Sequence, residues 1–112
     1  MGNFFQSEMV RGDIQEMAVL QEFCFRSISN LALLNKERKL EYFDALRKLI
    51  EKQKIFYARI KLSDDPEAKS VAENMKNSVV MLGGNPNLNV MDMFDDLLKK
   101  IDQFESHVEK QP

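Results

Sequence analysis

The chain has no tryptophan, one histidine and one cysteine in 112 residues. A single cysteine forms no internal disulfide, and one cysteine with one histidine cannot furnish a Cys/His zinc site. Four glycines and three prolines are too few for a collagen-like, mucin-like or other low-complexity chain. No unbroken apolar run exceeds four residues, as at Leu31 to Leu34 and Val79 to Leu82, whereas a membrane helix needs about 20. The first basic residue, Arg11, lies between Glu8 and Asp13, so the basic start and apolar run of a signal peptide are missing. Gly2 is followed by Gln6 where a myristoylation motif needs Ser or Thr. These absences predict a soluble, cytoplasmic, reduced protein with no membrane contact.

What is present is 44% hydrophobic and 30% charged residues, with seven methionines and eight phenylalanines. That suits one globular domain spanning residues 1–112, since domains commonly hold roughly 100–150 residues. Apolar residues recur at steps of three and four, the spacing of one helix face. Val10, Ile14, Met17, Leu20, Cys24, Ile28 and Leu31 predict a helix over about 5–32, with Gly12 as a weak point. Asn35 reads as the N-cap of a second helix over about 36–62, striped by Tyr42, Leu46, Leu49, Ile50, Phe56, Tyr57 and Ile60. Asp65-Pro66-Glu67 reads as cap, first helical residue and favourable first-turn charge of a third helix, 66–82, closed by Gly83. Asn89 caps a fourth over 90–108, whose seam of Val90, Phe94, Leu97, Ile101, Phe104 and Val108 packs one partner helix. The predicted fold is all-α: a long antiparallel hairpin with two shorter helices, four-helix and bundle-like.

Charge is unevenly placed. Residues 36–61 carry nine basic and four acidic groups, while the segments before and after are net acidic. Either Arg47, Lys48, Lys52, Lys54 and Arg59 present a basic face to nucleic acid or an acidic protein, or the neighbouring helices neutralise them. An overall charge of −2 favours neutralisation, because a nucleic-acid-binding domain is usually strongly basic.

Reactive constellations are scarce. His107 stands alone near the last helical turn. Cys24 lies on an apolar stripe between Phe23 and Phe25 with no activating cation beside it. Asp64-Asp65 and Asp95-Asp96 are neighbours in sequence, so on a helix they point about 100° apart and cannot face one atom. Gly83-Gly84 lacks the Gly-Lys-Ser/Thr of a phosphate loop. No catalytic, metal or cofactor site is expected, and the chain reads as a non-enzyme. The aromatic excess predicts burial between chains, as a homo-oligomer with a dimer favoured. Phe4, Phe5, Phe25, Tyr42, Phe43, Met91, Met93 and Phe94 are the candidate partner contacts, methionine being adaptable at such surfaces.

Met1-Gly2, Phe4-Phe5, Ser7-Glu8, Lys39-Leu40-Glu41-Tyr42-Phe43, Ile55-Phe56, Leu62-Ser63-Asp64-Asp65, Leu82-Gly83 and Met93-Phe94 together resemble a small family of cyanobacteria and their phages, domain of unknown function 1825. The resemblance covers nearly the whole chain and implies a helical cytoplasmic protein with no activity to carry over. Asn85-Pro86-Asn87-Leu88-Asn89 departs from the Thr-Pro-Gln-like turn of that family. A phage copy would imply modulation of a host cyanobacterial complex, by analogy alone. The expected function is a non-enzymatic helical adaptor that binds protein. The alternative is a nucleic-acid- or transcription-associated binder using the basic helix 36–61.

Overall fold

Local sequence signals set where the helices begin and end. A computed structural model describes residues 7–111, and all its regular structure is helical. The helices are α1 (Glu8–Ile28), α2 (Lys36–Ile60), α3 (Pro66–Met81) and α4 (Val90–Glu109), with a 3-10 turn at Leu31–Leu33. Asn35, Asp65 and Asn89 each accept a backbone N–H of their helix's first turn, from Arg38, Glu67 and Asp92. Those are the three caps expected from sequence. The end of α3 is a full left-handed motif. Gly83 has φ +109°, its N–H donates to the Val80 carbonyl, and the Gly84 N–H donates to that of Val79.

α1 is shorter than its apolar spacing suggests. It ends at Ile28, not near residue 32, because Ser29 and Asn30 turn the chain before Leu31. Only Val10, Met17 and Cys24 of α1 are buried, one per seven residues, a single narrow seam against α2. Ile14 and Ile28 stand exposed, so the broad stripe read from sequence is only partly used.

α2 is the central helix, packed against α1, α4 and, less extensively, α3. Ion pairs fix the directions. Arg59 and Lys52 meet Asp13 and Glu16 of α1, so the hairpin is antiparallel as expected. Lys54 and Arg47 meet Asp95 and Asp102 of α4, and Lys36 donates to the Glu109 carbonyl, so α4 is antiparallel to α2 as well. The α4 seam therefore packs on α2, within the chain. Its Phe94, Leu97 and Ile101 join Leu46, Leu49, Ile50 and Phe56 in the core. Phe104, also on that seam by spacing, is 55% exposed, whereas Met93, off it, is fully buried.

α3 doubles back over α2. Ala68 shares a concavity with Ile60 near the start of α3, and Leu82 shares another with Leu46 near its end. At 1.5 Å per residue the 25 residues of α2 span about 37 Å and the 16 of α3 only about 24 Å. Past Leu82, the space above the N-terminal part of α2 has no helix over it.

Candidate interaction surface

That uncovered space is an apolar trough of about 450 Å³. Tyr42, Phe43 and Leu46 of α2 form its floor. Ile28 and Leu31 bound one side, Leu97, Lys100, Ile101 and Phe104 of α4 the other, and Leu82 with Gly83 close the end. Residues of α1, α2 and α4 and the two that follow α3 meet there. Phe104 leans on Phe43 with ring centroids 6.1 Å apart and planes 24° from parallel, and Tyr42 meets Phe43 edge-on at 5.2 Å. Lys100 is the one charged side chain in the lining, and Asp96 sits 3.0 Å from its Nζ.

The candidate contacts separate by burial. Tyr42, Phe43, Met93 and Phe94 belong to the core of the chain. Met93 and Phe94 are fully enclosed there, with Tyr57 edge-on to Phe94 at 5.9 Å. Tyr42 and Phe43 still floor the trough. Phe25 and Met91 are half-buried against the core, away from the trough. Phe4 and Phe5 lie outside the described residues. Ile28, Leu31 and Phe104 were not singled out as contacts from sequence. Their helical spacing marks them as core, and nothing local signals that α3 ends before covering them.

The five basic-face candidates are each matched to a carboxylate. Arg47 holds Asp102 at 2.8 Å and Glu105 at 2.7 Å, with a second bond to each acid. The Glu105 bonds foremost, then those to Asp102, drive its guanidinium further toward the charged form. Lys52 lies 2.6 Å from Glu16, Lys54 beside Asp95, Arg59 3.2 Å from Asp13 and Lys48 3.1 Å from Asp44. Carboxylates of α1 and α4 thus pair with Arg47, Lys52, Lys54 and Arg59, and Asp44 of α2 itself pairs with Lys48. Among the described residues Lys61, Lys69 and Lys76 form no salt bridge and instead line a separate concavity of about 240 Å³.

His107 is exposed on the last turn of α4. Among the described residues no three His, Cys, Asp or Glu side chains gather as a metal site would require, and no helix is long and apolar enough to cross a membrane. Asp65 caps α3.

Cys24 is fully buried, and burial pushes its thiol up to about 11. Burial, then the nearby Cys24, pushes Tyr42 up to about 12. Both favour the protonated form in the folded chain. The unfolded chain ionises first as pH rises, so stability conferred below pH 9 is lost between about pH 9 and 12. Each group accounts for on the order of 3 kcal/mol. Urea titrations from pH 8 to 11 are expected to show a steep fall in the midpoint, blunted in Cys24→Ser. An unchanged slope in that variant would assign the fall elsewhere.

A family model matches residues 2–108, nearly the whole chain, and its description is a domain of unknown function. No curated protein and no solved structure matches the chain.

Proposed function

The chain belongs to the DUF1825 family, and since that membership brings no activity with it, we propose that this is a non-catalytic helical adaptor that binds a polypeptide in the open trough. One observation carries the reading. The molecule leaves an apolar concavity of about 450 Å³ beside Ile28 and Phe104, which are 40% and 55% exposed. A small-molecule site would add several convergent polar groups to orient its ligand, and here only Lys100 is offered. An apolar side chain or helix face needs no such groups.

The ion pairing weighs against nucleic acid on α2. Phosphates would have to displace a carboxylate at each of Arg47, Lys48, Lys52, Lys54 and Arg59 before any counterion release could favour them.

A photocrosslinking residue at position 104, on the trough rim, is expected to give polypeptide adducts in the native cell. The same residue at position 55, on the outer face of α2 where Ile55 is 59% exposed, is expected to give none. Equal labelling at both positions would sink the reading.

A further inference from the structure

We propose that the concavity where the end of α2 meets α3 and the start of α4 binds a small organic phosphate, a phosphate monoester on a compact apolar or aromatic body. This concavity shares no lining residue with the trough, and the proposal stands independently of the adaptor reading.

The first support is charge. Lys61, Lys69 and Lys76 line the concavity with Glu73 as their one acid, a net charge of +2 within a chain of net −2. Elsewhere on α2, Arg47, Lys48, Lys52, Lys54 and Arg59 each hold a carboxylate. Here the three ammonium groups hold none. Glu73 stands four residues after Lys69 and three before Lys76, spacings at which a helix pairs opposite charges, and it bridges neither. A phosphate monoester carries about −1.5 to −2 at neutral pH, which balances the excess, and lysine is a common phosphate ligand.

The second support is the arrangement. Lys69 and Lys76 lie seven residues apart, two turns on one face of α3, with the small Ala72 between them. Lys61 reaches in from α2, its Nζ 5.8 Å from the centre of the Tyr57 ring, a cation–π contact. That ring is itself fixed edge-on to Phe94. The Ser63 Oγ accepts the Asp65 N–H at 3.1 Å, which leaves its own proton to donate. Buried Ile60 and Ala68 and half-buried Ala72 and Val90 supply an apolar wall. Several polar groups thus converge over apolar surface, the make-up of a small-molecule site that the trough lacks. The volume of about 240 Å³ lies below the roughly 300 Å³ at which pockets for drug-sized ligands begin, so the ligand is compact.

Amide NMR titration of the full chain with phenyl phosphate, from about 0.1 to 20 mM, tests this. Saturable shifts are expected at Lys61, Lys69, Ala72 and Lys76, with a dissociation constant on the order of 1 mM or tighter. Inorganic phosphate is expected to bind at least about threefold more weakly, because it covers none of the apolar wall. Lys69→Gln combined with Lys76→Gln is expected to weaken phenyl phosphate at least about tenfold, through lost charge-assisted hydrogen bonds. Glutamine keeps the helix propensity of lysine, so helical circular dichroism should be unchanged, and Lys61→Gln should weaken binding in the same direction. Lys48→Gln, which removes an ammonium already paired with Asp44, is expected to leave the affinity as it was. No saturation across the titration, equal affinity for inorganic phosphate, or equal weakening in Lys48→Gln overturns the proposal. Tighter binding of a phosphotyrosine peptide or of an oligonucleotide than of phenyl phosphate overturns it in favour of a macromolecular ligand.

Discussion

Phe94→Ala is expected to destabilise the chain by about 3–5 kcal/mol. Phe94 is fully buried and is the largest of the side chains with no exposure. It sits where the first turns of α4 meet α2, with its ring edge-on to Tyr57 at 5.9 Å and 70°. Truncation removes the buried ring, opens a cavity that helices pinned by Lys54–Asp95 and Arg47–Asp102 collapse into only partly, and loses the aromatic pair. Native stabilities of small domains run to about 5–15 kcal/mol, so roughly a fifth or more of the total is at stake. At about 4–8 °C per kcal/mol, thermal denaturation followed by circular dichroism should show a drop well beyond 10 °C. Phe94→Leu, which retains most of the volume, should cost far less. A loss below about 1 kcal/mol in the alanine variant would mean that α4 does not pack on α2 through this ring.

Gly84→Ala is the second large effect, about 1–3 kcal/mol for one added methyl group. A Cβ at this position would lie 2.8 Å from the Met93 Cγ and Sδ and 2.9 Å from the Val79 Cγ1. Met93 and Val79 are both fully buried, and the valine is stiff at χ1, so neither gives way freely. Backbone must move, and the hydrogen bond from the Gly84 N–H to the Val79 carbonyl moves with it. Urea midpoints of Gly84→Ala and of Gly12→Ala separate this cause from general glycine effects. Gly12 has nothing within 4 Å of its would-be Cβ and lies inside α1, so its alanine variant should be stabilised by up to about 1 kcal/mol. Equal shifts in the two variants would exclude the close approach as the cause.

The glycine pair shows how far sequence reasoning reached. Gly83 follows the last apolar position of α3 and takes the left-handed conformation its place demands. The need for Gly84 comes from Met93, nine residues on and in another helix, and no local pattern announces it. The same division runs through the charges. Neutralisation of α2 was favoured from the distribution of acids and bases, but the partners Glu16, Asp13, Asp95, Asp102 and Glu105 are set by which helices α2 touches. Phe104 and Met93 exchange their expected places for a related reason. A seam read at three-four spacing assumes cover along its whole length, and that cover is missing near Phe104, where α3 has already ended.

By itself the sequence determined what depends on residues within a turn or two of each other. Those are the helical spacing, the caps Asn35, Asp65 and Asn89, the stop at Gly83, and a composition without a second cysteine or histidine from which to build chemistry. Only the tertiary structure decided that α4 lies along α2, that carboxylates of α1 and α4 pair with Arg47, Lys52, Lys54 and Arg59, and that an apolar trough stays open. These depend on the relative lengths and directions of helices far apart in the chain, and contacts of that kind carry no local signature.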